Sequence, residues 1–223
     1  MDQQELVSIV VLTHNALGNC KLLFDSLTTT REVTYELVVV DNASTTETRD
    51  YLWSEFSRER INRICFLDRN TFFAEGNNIG ISASSRTSSH VLLLNSDVEI
   101  RSPFWLRKLL DVHRTGATTY GFVPDMPWPR ADGYCFLIDR WLCLRYGLDE
   151  RFQWFWCVTK LQAELLRDGF AVQAVRNHSR FLFHFGGRSG DAPYRSAAGM
   201  DLDEAVVARW FDGRNVSIIA SLE

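Results

Sequence analysis

Four runs of β-branched and aliphatic residues in the first hundred positions constrain the fold more than any other feature: Leu6–Thr13 (LVSIVVLT), Tyr35–Val40 (YELVVV), Ile61–Leu67 and His90–Leu94 (HVLLL). Each is strand-sized and apolar at consecutive positions, the pattern of a strand covered on both faces. Between the first two, Leu17–Leu27 carries Leu22, Leu23 and Leu27 at helical spacing. A second helical stretch runs from the polar turn Asp41-Asn42-Ala43-Ser44 to about Phe56, and the fourth strand is reached through the Gly- and Asn-containing segment Glu75–Ser85. Strands alternating with helices predict an α/β fold with a mostly parallel central sheet flanked by helices. At 223 residues and 46% hydrophobic, the chain can bury one substantial core. A single domain over 1–221 is expected, in two halves, 1–115 and 116–221, with Leu222-Glu223 read as the scar of a C-terminal tag.

The bulk properties exclude several classes. A formal net charge of −4 offers no broad attraction to nucleic-acid phosphates or anionic lipid. The apolar runs are strand-sized and the chain opens on Asp2-Gln3-Gln4-Glu5, so a soluble, cytoplasmic protein is expected, at most peripheral to a membrane. Five cysteines (Cys20, Cys65, Cys135, Cys143, Cys157) form an odd set without CxxC spacing, against both a disulfide framework and a structural zinc site. After Gly116 the character changes: Pro124, Pro127 and Pro129 crowd together, and Trp128, Trp141, Trp154, Trp156 and Trp210 follow. That half reads as a lid and binding surface or, equally well, as a rigid structural loop.

In an open α/β sheet, ligands bind beyond the C-terminal ends of the strands. Here those ends carry Thr13-His14-Asn15, Asp41-Asn42-Ala43-Ser44 and Asn95-Ser96-Asp97. Local turn chemistry explains any one of them. Three on one edge suit a polar ligand with a base, a ribose and phosphates. Neither a Gly-x-Gly-x-x-Gly fingerprint nor a P-loop is present, so a diphosphate would be neutralised differently, with Mn²⁺ or Mg²⁺ on Asp97 the natural candidate.

Seven blocks, VSIVVLTHN (7–15), ELVVVDNAS (36–44), RNTFFAEGNNIGISAS (69–84), HVLLLNSDVEI (90–100), DGYCFLIDR (132–140), GLDERF (147–152) and HFGGRS (184–189), resemble glycosyltransferase family 2 in order and spacing. The resemblance implies a GT-A fold and a metal-dependent, inverting transfer of a sugar from a UDP- or dTDP-linked donor to a glycan or other hydroxyl acceptor, as in polysaccharide biosynthesis. It implies that Thr13, Asn15, Asp41 and Asn42 line the nucleotide, with Asp41 reaching the pyrimidine, and that Asn77 and Asn78 lie in the segment closing over it. Asn95-Ser96-Asp97 stands at the family's Asp-x-Asp metal motif. Asp97 would be the retained ligand, Asn95 a neutral partner or ribose contact, and His184 the histidine completing the metal site.

One departure bears on mechanism. The carboxylate pair that supplies the family's general base falls, counted from Arg151-Phe152, on Cys157-Val158, neither of which is an acid. Three explanations stand: another acid substitutes (Glu150, Asp149 or Asp132), the domain binds a nucleotide-sugar without transferring it, or Cys157 is an unusual position. The adjoining Trp154 and Trp156 suit an acceptor platform or a contact with an additional domain or subunit. A nucleotidyltransferase shares such a sheet, but its Gly- and Lys/Arg-rich loop is not evident near the first strand.

Overall fold

The strand that opens the chain becomes the strand around which the main sheet turns. In the computed structural model, which describes residues 5–125, 127–186 and 199–223, β1 (Leu6–Thr13) lies between β2 (Thr34–Asp41) and β4 (His90–Leu94), parallel to both, and β3 (Arg63–Phe66) adds beyond β2. The connections are α1 (Leu17–Leu27), α2 (Thr46–Ser57) and α3 (Phe72–Ala83). The second half continues the same sheet through β6 (Gly116–Tyr120), β9 (Cys135–Asp139), β10 (Ala171–Asn177) and β12 (Ser217–Ser221). The order is β12-β10-β6-β9-β4-β1-β2-β3, with β9 antiparallel to both its neighbours and every other pair parallel. Two small antiparallel ribbons attach: β5 (Val98–Ile100) with β11 (Leu182–His184), and β7 (Phe122–Val123) with β8 (Arg130–Ala131). The remaining helices are α4 (Trp105–Asp111), α5 (Arg140–Tyr146), α6 (Phe155–Arg167) and α7 (Glu204–Phe211).

Both faces of the sheet are buried along its central strands, which is why β1 and β4 read as unbroken apolar runs. Successive residues part to opposite sides: Leu92 and Leu94 join the core under α1 and α4, while Val91 and Leu93 join the core under α3, α5 and α6. The segment approached in sequence through its Gly and Asn content is the helix α3. Its glycines set how closely it lies on the sheet: a Cβ on Gly80 would stand 2.3 Å from Val10 Cγ1, and one on Gly76 2.5 Å from Leu12 Cδ1. α3 thus gives up helix propensity at two positions to lie directly on β1.

The tryptophan-rich half finds much of its partner surface within the chain. Trp156 is buried, donates its indole N–H to the Met200 carbonyl, and packs with Val207 and Phe211 of α7. Trp128 stacks on Phe211 and donates to the Arg214 carbonyl, and Trp210 meets Phe152 edge-on. For Trp156 this favours the structural reading of the cluster over the platform. Leu222 is itself buried in the core under α1 and α4.

Candidate active site at the carboxyl edge of the sheet

β4 ends at Leu94, and the turn Asn95-Ser96-Asp97 leads straight into β5. The ribbon of β5 and β11 then brings a distant residue back beside that turn. Val98 registers with His184, and the Phe185 amide donates to the Asp97 carbonyl at 3.0 Å. Asp97 Oδ1 consequently lies 3.2 Å from His184 Nε2, with Asp97 buried and His184 part-exposed. The Tyr134 ring stacks on His184, centroids 4.2 Å apart and planes within 16°, and the Tyr134 hydroxyl is itself held by His178 Nε2 at 2.5 Å. The imidazole is therefore fixed in position from behind.

Asp132 belongs to the same neighbourhood. Burial pushes its carboxyl above the usual range, against the opposing pull of His184, the Gly133 and Tyr134 amides and Arg130. It shares a cavity of about 170 Å³ with Arg130, Gly133, Phe155 and Val158. Val158 also packs 3.2–3.3 Å from where a Gly133 Cβ would stand. The position left without its acid in sequence is thus adjacent in space to an acid from β9's approach, although about 25 residues separate them along the chain.

Other sequence candidates have different surroundings. Asp149 is gripped by Arg151 at 2.7 Å and by Lys160; the Arg151 pairing first, then Lys160, hold its carboxyl far below the usual range despite burial. Glu150 accepts from Asn78 Nδ2 at 2.9 Å. Cys157 is fully buried, burial pushes its thiol up, and the thiol donates to the Trp154 carbonyl.

At the ends of β1 and β2, Asp41 is fully buried; Oδ2 takes the Arg49 Nε–H at 2.8 Å and the Ser44 amide, while Oδ1 has no hydrogen-bond partner among the described residues. Ser96 Oγ is likewise buried without one. Asn15, at φ 51°, accepts from the Thr45 amide on its side-chain oxygen and donates its own backbone N–H to the Ser44 hydroxyl, which locks the two strand ends together. Thr13 contacts Cys20 Sγ at 3.1 Å.

The side chains of Asn42, Asn77 and Asn78 are spent on the protein itself. Asn42 binds Asn70, Thr71 and the Phe72 carbonyl; Asn77 donates to the Phe73 carbonyl; Asn78 clasps both the amide and the carbonyl of Leu148. The structure therefore gathers Asp97, His184 and Asp132 at one place and Asp41 and Ser96 along the same edge, while Asn42, Asn77 and Asn78 brace it. Two residues escaped the sequence reading. Arg49 neutralises Asp41, and its helical placement eight positions on was a usable signal. Gln153 accepts from the first amides of α3, Phe73 N and Ala74 N at 3.1 and 3.2 Å, with no local signal. Of the block at 184–189, residues 187–189 lie outside the described residues.

An open, mostly parallel sheet with an acid turn at the end of β4 and a returning ribbon beside it defines a GT-A nucleotide-diphospho-sugar transferase fold. Solved structures share it. A mannosyltransferase from Pyrobaculum calidifontis in complex with GDP-Man and Mn²⁺ superposes with a TM-score of 0.65 at 15% identity, covering 77% of this chain and 55% of its own. S. aureus TarS 1-349 in complex with UDP-GlcNAc gives 0.64 at 15% identity, covering 92% and 70%. Glucosyl-3-phosphoglycerate synthase from Mycobacterium tuberculosis, in complex with Mn²⁺, UDP and phosphoglyceric acid, gives 0.65 at 13% identity, covering 92% and 77%. The chain thus spans just over half the length of the mannosyltransferase. No curated protein matches it. Residues 8–132, more than half of the chain, match the model of Glycosyl transferase family 2, and the chain belongs to that family.

Proposed function

We propose that the protein transfers a sugar from a UDP- or dTDP-linked donor to a hydroxyl of a glycan acceptor, with inversion, and that Asp132 is the base. The observation that carries this reading is the convergence of Asp97, His184 and Asp132 at the carboxyl edge, Asp97 Oδ1 and His184 Nε2 being 3.2 Å apart. The donor set fits Mn²⁺ or Mg²⁺: neighbouring ligands on an octahedral ion with bonds of about 2.1 Å are about 3 Å apart, and a carboxylate with an imidazole suits Mn²⁺ well. When bound there, the cation would neutralise the diphosphate as charge builds on it.

The chain's own residues supply the rest. Asp41 Oδ1, without a partner among the described residues, is the acceptor assigned to the imide N–H of the pyrimidine. Arg49 aims that carboxylate by occupying its other oxygen. Asp132, raised by burial toward the range where a carboxyl can hold a proton, takes it from the acceptor hydroxyl, and the cavity it shares with Val158 gives that hydroxyl room to approach. Asp149 and Glu150 are assigned to holding the loop.

A second reading, a nucleotide-sugar-binding module without transfer, rests on Cys157-Val158 standing where the family has its acids. Calorimetry of UDP, dTDP, GDP and ADP, with and without Mn²⁺, on wild type and Asp97→Asn tests the site first. Metal-dependent binding of a pyrimidine diphosphate that is lost in the variant is expected; binding indifferent to both metal and Asp97 would refute the assignment. Turnover with an acceptor library then separates transferase from module.

A further inference from the structure

The opposite end of β4 holds a second constellation. His90, the first residue of that strand, pairs in register with Asp139, the last of β9, and His113 comes from the turn between α4 and β6. His113 Nε2 is 3.2 Å from Asp139 Oδ2, and His90 Nε2 is 4.0 Å from Asp139 Oδ1. One donor atom from each residue falls within a common span of 4.8 Å. The two rings meet edge to face, centroids 4.8 Å apart at 85°.

The other ring nitrogens carry the orienting bonds. His90 Nδ1 faces Ser89 Oγ at 2.9 Å and Glu5 Oε1 at 3.3 Å, Glu5 in turn lying 3.7 Å from Arg107. His113 Nδ1 meets Thr118 Oγ1 at 2.9 Å. The Gly116 amide donates to Asp139 Oδ2 at 2.7 Å and fixes the carboxylate. This is the arrangement of metal-binding histidines, whose remote nitrogen is held by a carboxylate or hydroxyl while the near one points at the ion. The hydrogen-bonded alternative accounts for His113 but not for His90 Nε2: at 4.0 Å it is too far from Asp139 for a hydrogen bond, and it makes none to the other described residues.

We propose that His90, His113 and Asp139 form a site for a zinc-class divalent cation, separate from the one at Asp97. Two imidazoles and one carboxylate are a borderline donor set that favours Zn²⁺ over the harder Mn²⁺ or Mg²⁺, with a fourth position left for water. In a tetrahedral zinc site the donors lie about 3.3 Å apart, so the two rings need only draw together around the ion. The five residues of β4 separate this site from Asp97 by roughly 16 Å, so it stands or falls independently of the transferase reading. By joining the starts of β4 and β6 to the end of β9, the cation would clamp three adjacent strands where the parallel order of the sheet is broken.

The test is Zn²⁺ titration of the chelator-stripped protein against a competing chromophoric chelator, for wild type, His113→Asn and Asp97→Asn. One equivalent bound by Asp97→Asn, the same site present in wild type, and that site at least tenfold weaker in His113→Asn, is the expected result. The visible spectrum of the Co²⁺-loaded wild type serves should His113→Asn fail to fold: ligand-field bands of a low-coordinate nitrogen and oxygen site are expected. No binding by wild type, undiminished binding by a folded His113→Asn, or a thiolate charge-transfer band would each overturn the proposal.

Discussion

Two regions of the molecule are rich in carboxylates, and they are built in opposite ways. At the carboxyl edge, Asp97 and Asp132 gather around a histidine, and burial holds Asp132 above the ordinary range. In the loop at 147–153, Asp149 is clamped by Arg151 and Lys160, Glu150 is tied to Asn78, and Gln153 is spent on α3. The loop lies closer along the chain to the place where the family's acids are missing, yet its carboxylates are the more fully paired. Distance along the chain from a motif therefore says less about a carboxyl's capacity to take a proton than its counter-ions do. Pairing with cations stabilises the charged form and weakens the base, whereas burial without such pairing strengthens it.

The sharpest way to break this contrast is Asp132→Asn, which is expected to lower kcat by about 10²–10⁴, the usual contribution of a positioned general base, while leaving the nucleotide Kd unchanged. In wild type kcat/KM should show an ascending limb against pH, because the carboxyl must lose its proton before it can act, and Asp132→Asn should remove that limb. If Asp132→Asn retained turnover and Glu150→Gln lost it, the roles of the two regions would be reversed.

A buried carboxylate of a third kind calibrates the comparison through stability. Burial of Glu36 opposes its charge, but the Ser8 hydroxyl, the Ser85 amide and Arg63 outweigh that and hold its carboxyl below the usual range. Its contribution is therefore complete above the unfolded value of about 4.3 and is lost as pH falls through the folded one. Glu36→Gln should cost about 1–2 kcal/mol at pH 7, and the gap from wild type should close in acid; thermal melts across pH 3 to 7 would reveal it. The smallest effect belongs to Asp149→Asn, for which kcat and its pH profile should stay close to wild type. A collapse of turnover there would show that the clamped acid takes part in the chemistry.

Much of this architecture was legible from residue order. Leu6–Thr13, Leu17–Leu27 and His90–Leu94 occupy the same bounds as strand, helix and strand in the structure, because both-face burial leaves a continuous apolar signature and helical spacing leaves a periodic one. Strand direction leaves none, so the antiparallel wedge of β9 was not anticipated within the mostly parallel sheet. α3 was obscured by two glycines whose role is to approach β1, a reason that lies in the neighbouring strand. At the site, the pairing of His184 with Asp97 was accessible only through resemblance, since β11 brings it back from 87 positions away. The adjacency of Asp132 and Val158, and the burial of Trp156 on α7, depend on how the second half packs and leave no local trace.

The bond from Gln153 to the start of α3 has a consequence for how the protein is made. Its two donors lie 79 and 80 residues upstream of it, so during synthesis the opening turn of α3 emerges long before its partner exists. Until that side chain arrives, the amides of Phe73 and Ala74 are left to water and the helix frays at this end. Although residues 8–132 suffice to carry the family's signature, a nascent chain ending there would hold an unfinished α3, and completion of the helix that lies on β1 would wait on translation of the second half.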